Sequence, residues 1–514
     1  MRPHTIGDSR GLLAFVGASA LALLTLGAAH KLGLIALVIA PAGALLVFVV
    51  MRPLLAVALP AVFAVVIEQS TPNALGVQSA QLHDPLPGHF TPLELMLVLA
   101  IVSVSIDAVT HRRIPLGPRP FGPALSLVAL GCVVGVIVGH AGGGSFTTIS
   151  EQLRLIAPLI VMPWLVVNVV PDTTGLRRAI GVLGGLIAVK AGLGLVGFAT
   201  GQGEQLGGTF GSGVITYYEA TMNWLSMTYL LAMLGATLAG VETSRWARWA
   251  TPLVFLSLLL SYRRSFWLAV LAAAPVVLAV CARRTTRHLM IPALAAIGVV
   301  LWLTISAGVV TEVQGPLATR VQSLSPSKLS ANAEDRYRID ERRNVLADVR
   351  EHPFTGLGLA VPWTQRYPLG IQHPGGQLYV HMAVLWWWSK LGMLGLCAYI
   401  ALMGTIMWQG FRLWFSREDP LIRLGAMAAA TGVLGLMTAE TTASFTGVDP
   451  RLTPVLGAVA GLLAAAGRVA ARSKRARLQA EHGAFPSSTA EFASDRAGAR
   501  SFLGNPGQSA ERSI

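Results

Sequence analysis

Apolar runs close to 20 residues long recur along the chain, from Gly11 to about residue 470. Each can cross about 30 Å of hydrocarbon as a helix rising about 1.5 Å per residue. Lipid offers no water to backbone amides, so a spanning segment must be a helix or part of a closed barrel. A barrel needs short strands of alternating polarity, whereas these runs are continuously apolar. The chain therefore reads as an all-α, polytopic transmembrane helical bundle of about 14 helices (12–14). The spans fall near 11–29, 32–50, 53–68, 91–110, 122–140, 154–170, 179–199, 221–241, 250–262, 265–281, 289–310, 389–411, 421–441 and 452–470. Only 12% of the 514 residues are charged, about half of what a soluble domain carries.

The net charge of +14 does not point to nucleic acid, because no basic patch interleaves with exposed aromatic residues. The basic residues fix orientation instead. With Arg2 and Arg10 taken as cytoplasmic, the intervals holding Arg52, His111-Arg112-Arg113, Arg177-Arg178, Arg245 with Arg248, Arg283-Arg284-Arg287 and Arg412 with Arg417 fall on the same side. So does Arg472-Ser473-Lys474-Arg475-Ala476-Arg477. Intervals 69–90, 141–153, 200–220 and 442–451 fall outside with few basic residues. The first run follows two arginines like a signal peptide, but the many spans after it favour a retained first helix. Cys132, Cys281 and Cys397 lie inside apolar segments, which argues against disulfides and thiolate metal sites. The expected organisation is a cytoplasmic N-terminus (1–10), transmembrane helices 1–11 (11–310), an extracytoplasmic loop (311–388), transmembrane helices 12–14 (389–470) and a disordered cytoplasmic tail (471–514).

Two places break this pattern. Tyr262-Arg263-Arg264-Ser265 puts an arginine pair on the outer side with almost no loop, and 311–388 is a long, charge-rich outer segment. Within it, 332–351 predicts an amphipathic helix. Ser330 or Asn332 suits its N-cap, Glu334 and Asp335 suit its first turn, and His352-Pro353 stops it. Arg338, Glu341, Arg342 and Val345 share a face by three- and four-residue spacing. Phe354-Thr355-Gly356-Leu357-Gly358 gives a tight turn, and 377–390 predicts an interfacial helix whose three tryptophans suit the headgroup boundary.

Outward arginines near a membrane surface can bind diphosphate oxygens by charge-assisted, bidentate bonds. A neutral histidine such as His381 can take a proton from a sugar hydroxyl. Equally, 332–351 fits a solvated helix with internal ion pairs, Arg263 and Arg264 fit headgroup snorkelling, and His381 fits an ordinary interfacial histidine. The pattern alone leaves the chemistry open.

Three stretches resemble the O-antigen ligase and Wzy-type polysaccharide polymerase superfamily. Leu260-Ser261-Tyr262-Arg263-Arg264-Ser265-Phe266-Trp267-Leu268 is similar to Ser-x-Ser-Arg-x-x-x-Leu, with the family arginine at Arg264. Arg338, Pro353 and Gly356-Leu357-Gly358 resemble Arg…His-Pro-x-x-Gly-x-Gly. His381 with Gly392-Met393-Leu394-Gly395 resembles His-Asn…Glu-x-Gly-Leu-x-Gly, with Met382 in place of asparagine and Lys390 in place of glutamate. The resemblance covers roughly residues 250–410.

It implies a metal-independent, inverting glycosyltransferase of the GT-C type in a bacterial inner membrane, with both termini cytoplasmic and no cofactor. Such an enzyme moves a saccharide from a polyprenyl (undecaprenyl- or decaprenyl-type) diphosphate to an acceptor hydroxyl on the outer face. On this reading Arg264, Arg338 and Arg263 hold the diphosphate and His381 is the general base. Glu341, Arg342, Tyr218, Glu219 and His373 are further substrate-contacting candidates. The expected role is polymerase of a cell-surface polysaccharide, with ligation onto a lipid or protein acceptor as the alternative. Partners would be the lipid-linked oligosaccharide, the glycan acceptor, the bilayer, and assembly proteins such as a flippase or chain-length regulator. A flippase or secondary transporter is the rival from another class. It would use mid-span charges such as Asp107, Lys190 or Glu440.

Overall fold

A computed structural model describes residues 45–66, 91–201, 204–206, 213–217, 219–282, 333–370 and 376–483. The described residues up to 467 belong to one compact unit and those from 468 to a second. The described elements are α1 (Pro53–Val66), α2 (Pro92–Thr110), α3 (Gly122–Ala141), α4 (Phe146–Val169), α5 (Thr173–Ala199), β1 (Glu204–Leu206) and β2 (Gly213–Ile215). They continue with α6 (Ala220–Ala239), α7 (Arg245–Leu259), α8 (Arg264–Cys281), α9 (Ala333–Glu351), α10 (Ala383–Trp414), α11 (Pro420–Ala439) and α12 (Leu452–Gly483). Among the described residues nine helices are long and apolar enough to cross a membrane. The fold is a polytopic helical bundle; its one small ribbon pairs β1 with β2 antiparallel, Glu204 opposite Ile215.

Of the fourteen spans, 11–29, most of 32–50, and 289–310 lie outside the described residues, and the others all form helices. Two of these are short, 14 residues in α1 and 15 in α7. Helix α4 begins at Phe146, inside the interval read as a loop, because Ser145 caps it by accepting from Thr148 N–H at 3.2 Å. The caps proposed for α9 at Ser330 and Asn332 lie outside the described residues.

Side-chain contacts fix which helix ends meet. Arg177 pairs with Asp419 and the Asn168 amide bonds Leu116, so the α2–α3, α4–α5 and α10–α11 connections share one end. At the opposite end the α6 start meets the α12 start through Glu219 and Arg451 at 2.8 Å, and α8 meets α9 through Arg264 and Asp335 at 3.3 Å. That second end carries the candidate site.

Small residues let the helices approach along the bundle. A methyl at Gly131 would lie 3.5 Å from the Gly395 Cα, and one at Gly410 would meet the Ala426 carbonyl. The connection after α9 then docks on a break in α10. Gly392 adopts φ 67° and ψ −166° inside that helix. Ser389 C=O and Met393 N–H, which an unbroken helix would pair with each other, turn to the loop instead. Ser389 C=O accepts from Leu357 N–H at 2.6 Å, and Met393 N–H donates to Phe354 C=O at 3.0 Å. Leu359 N–H reaches Gly135 C=O on α3 at 2.9 Å. Gly358, at φ 90°, lies so close to α3 that a Cβ there would sit 2.1 Å from Gly139 N.

The expected break between an interfacial helix and a span near Leu391 thus falls at Gly392, but the tryptophans do not form a headgroup belt. Trp386 and Trp387 are buried. The Trp387 indole N–H donates to Thr446 C=O at 3.0 Å, and that of half-buried Trp388 donates to Pro353 C=O at 2.8 Å. Each indole has found a polar partner inside the protein, which removes its reason to sit at the interface.

Candidate active site

Helix α9 runs as expected from Ala333 and stops at Glu351, just before His352-Pro353. Its buried face is Tyr337, Glu341, Asn344, Val345, Asp348 and Val349. This stripe is set by apolar and hydrogen-bonded positions together, so it is rotated from the face read off the arginines. Arg338 sits at its edge, half-buried, and Arg342 is exposed.

The lower part of that face holds the chain leading to His381. Asn344 Oδ1 accepts from Arg366 N–H and Tyr367 N–H, both at 2.7 Å, and Asp348 accepts from Thr364 N–H at 2.6 Å and pairs with Arg366 at 2.9 Å. Trp363 in turn donates from its indole to Tyr379 C=O at 2.9 Å. The Lys390 ammonium, fully buried, donates to Val361 C=O. The lysine that departs from the family pattern therefore ties this loop to α10.

His381 itself is held by Glu341. The Glu341 carboxylate accepts from His381 N–H at 2.8 Å and lies 3.0 Å from His381 Nδ1 through each oxygen. The side chains are 12% and 2% exposed, so water screens this contact little. Tyr337 and Tyr379 set the edges of the ring, with centroids 5.5 and 4.6 Å from the imidazole. The Tyr337 hydroxyl donates to Glu341 at 3.4 Å. Burial, and then the Glu341 carboxylate beside it, push the Tyr337 phenol well above its usual range, so it stays a donor.

Met382, where the resemblance expects asparagine, is the N-cap of α10 and supplies no side-chain cap. The first helical N–H, that of Ala383, is satisfied by Glu440 C=O at 3.2 Å. Glu440 also accepts from Tyr399 O–H and Thr446 N–H, both at 2.6 Å. It anchors the start of α10 to the 441–446 segment.

Two turns of α9 away from Glu341, Asp335 receives the arginines. Arg264 Nη2 donates to both Asp335 oxygens at 3.3 Å, and Arg338 Nη1 donates to one at 3.5 Å. Arg264 opens α8 after Tyr262 turns the chain at φ 52°, and no side chain caps that helix. Arg263 lies over the Phe445 ring at 5.9 Å, and Phe445 stacks on Phe266 at 5.5 Å. Asp335 and Glu341 are six residues apart on α9, about 9 Å along the helix axis and about 120° around it, so the arginine pair and the histidine are held from neighbouring faces of one helix.

The structure thus brings Arg264, Arg338, Glu341 and His381 to one helix, with Arg263 beside Phe445. Glu219 is buried in an ion pair with Arg451, which also meets Asp449 at 3.3 Å. Tyr218 and His373 lie outside the described residues. Sequence reasoning missed Asp335 as the arginines' partner and missed Tyr379, Phe445 and Arg451 altogether. The three-residue spacing of Asp335, Arg338 and Glu341 was the signal for the first; the others are contacts between distant segments. Two of the mid-span charges a transporter would use are engaged within the protein. Asp107 pairs with Arg113 at 2.9 Å, and Lys190 donates to Val66 C=O at 3.1 Å. Among the described residues no three His, Cys, Asp or Glu side chains cluster as a metal site.

This arrangement occupies residues 264–381, on elements that run from α7 into α10. Residues 249–400 match the O-antigen ligase family model, Wzy_C. The matched O-antigen ligase stretch contains the arginine pair, all of α9, the glycine turn docked on α10, and His381. No curated protein matches the chain. The match and the nine apolar helices together mark a multi-pass membrane protein of glycan-processing type.

Proposed function

We propose that the protein transfers a saccharide from a polyprenyl diphosphate to a glycan hydroxyl at the outer face of a bacterial inner membrane. The observation that carries this reading is that one helix, α9, holds the histidine through Glu341 and two converging guanidinium groups through Asp335. Glu341 engages Nδ1, so in that tautomer Nε2 is the nitrogen that accepts a proton. The acceptor hydroxyl gives its proton to His381 Nε2 while its oxygen bonds to the anomeric carbon. The carbon–oxygen bond to the diphosphate breaks, its electron pair stays on the diphosphate oxygen, and configuration at carbon inverts. Glu341 stabilises the imidazolium that forms.

Charge grows on the leaving diphosphate, and Arg264 and Arg338 stand where they can meet it. The α8 N-terminus, with no side-chain cap, adds N–H donors of the kind that bind phosphate. The guanidinium groups supply the positive charge, and the reaction proceeds without a metal. Arg263 and Phe445 form a further wall for the donor.

The basic connections gather at the opposite end of the bundle, which under the positive-inside rule is cytoplasmic. The candidate site then faces outward, and 311–388 is the extracytoplasmic catalytic segment. The preferred role is polymerase, with a second lipid-linked unit as acceptor. A ligase would use the same donor chemistry with another acceptor. Asp107 is paired with Arg113, Lys190 bonds a backbone carbonyl and Glu440 anchors the start of α10, engagements that favour an enzyme over a transporter.

Reconstitution in liposomes with a polyprenyl-diphosphate oligosaccharide tests this. The proposal expects released polyprenyl diphosphate and joined repeat units, with no added metal and undiminished by EDTA. Movement of intact lipid across the bilayer without glycosidic bond formation contradicts it.

A further inference from the structure

Asp335 already occupies the position that the proposed function gives to the donor diphosphate. Its two oxygens take hydrogen bonds from Arg264 at 3.3 Å, and one takes a third from Arg338 at 3.5 Å. Guanidinium N–H groups make the same kind of charge-assisted bond to phosphate oxygens. A guanidinium edge turned to one anion is not available in the same geometry to another. The Arg264 and Asp335 side chains are 13% and 12% exposed, so neither contact is a loose surface encounter.

We infer that Asp335 is an exchange ligand: it holds Arg264 and Arg338 in the empty site and yields them to the donor diphosphate. This inference rests on the diphosphate reading of the two arginines. The displaced carboxylate has a second source of stabilisation, because Asp335 is the third residue of α9. There the helix N-terminus favours negative charge by a fraction of a kcal/mol to about 1 kcal/mol. Exchange therefore trades one anion for another at the arginines without stranding a carboxylate. It keeps two guanidinium groups from facing each other unscreened before the donor arrives. When the sugar has been transferred, Asp335 competes with the spent polyprenyl diphosphate for the same donors and assists its release.

The test uses the full chain in detergent and a short-chain prenyl diphosphate titrated by calorimetry. Asp335→Asn removes the internal competitor, and binding is expected to tighten roughly three- to ten-fold. Arg264→Ala is expected to weaken it. Unchanged or weaker binding by Asp335→Asn, with Arg264→Ala impaired, overturns the exchange role and leaves the diphosphate site standing. Wild-type binding by Arg264→Ala overturns the site itself and the inference with it. A second readout needs no variant: carbodiimide labelling of Asp335 in the wild-type protein, read by mass spectrometry. Labelling should rise when prenyl diphosphate saturates the site. Constant or reduced labelling contradicts displacement.

Discussion

Glu341 grips His381 at two points, the backbone N–H at 2.8 Å and the ring Nδ1 at 3.0 Å. One carboxylate on α9 thereby sets both the position of the segment entering α10 and the tautomer of the imidazole. Glu341→Ala should lower the transfer rate by on the order of 10²-fold or more, since it removes orientation and counter-charge together. Glu341→Gln keeps an acceptor for Nδ1–H and should recover part of that loss. Tyr337→Phe, which removes only a 3.4 Å bond to Glu341, should cost a few-fold. Single-turnover rates with saturating donor measure all three.

Arg264 reaches both Asp335 oxygens from Nη2 at 3.3 Å, on a planar, delocalised guanidinium that a lysine ammonium does not reproduce. Arg264→Lys should reduce kcat/KM by about 10- to 100-fold, in proportion to about 1.4–2.7 kcal/mol of lost charge-assisted bonding. Arg342→Ala, by contrast, changes an exposed side chain outside the Asp335 and Glu341 contacts and should stay within about two-fold of wild type. Steady-state kinetics on the purified protein distinguish them; equal losses at the two positions would argue against bidentate recognition.

Gly358 and Gly392 are where the connection after α9 locks to the apolar helices. Gly392→Ala would place a Cβ 2.2 Å from Phe354 O at a φ of 67°, and Gly358→Ala would drive one into α3. Both should lose several kcal/mol of local stability. The expected signs are new proteolytic cleavage between 333 and 382 and loss of transfer with membrane insertion retained. Intact, active variants would mean that the loop docks elsewhere.

Met382 leaves the first turn of α10 with Glu440 C=O as the acceptor for Ala383 N–H and no side-chain cap. Met382→Asn supplies the missing acceptor. It should stabilise the protein by about 0.5–1 kcal/mol, seen as a raised melting temperature with transfer preserved.

The spans were legible because a lipid-crossing helix advertises itself locally, in the length and polarity of one segment. The α9 boundaries were legible for the same reason, since the stop at His352-Pro353 is a local steric effect. The face of α9 was read less well. Arg338 and Arg342 drew attention as charges, yet the buried stripe follows Tyr337, Glu341, Asn344 and Asp348, and the polar groups of the last three are satisfied by residues 364–381. Nothing local marks Glu341 as the partner of a histidine forty residues on. Trp386 and Trp387 misled because an indole near a span end suits the interface unless a carbonyl inside the protein claims its N–H, and Thr446 C=O does so for Trp387. Asp335 read as a helix-start residue, which it is; its second contact, to Arg264, joins segments seventy-one residues apart.

The central claim is that the histidine performs chemistry on a donor that the arginines hold. Its most direct measurement compares donor binding with single-turnover transfer in His381→Ala and Arg264→Ala in the same reconstituted system. The account predicts that His381→Ala binds polyprenyl-diphosphate saccharide within about two-fold of wild type yet transfers at least about 10²-fold more slowly, while Arg264→Ala loses binding itself. Wild-type transfer by His381→Ala, or equal donor binding by Arg264→Ala and wild type, would contradict it.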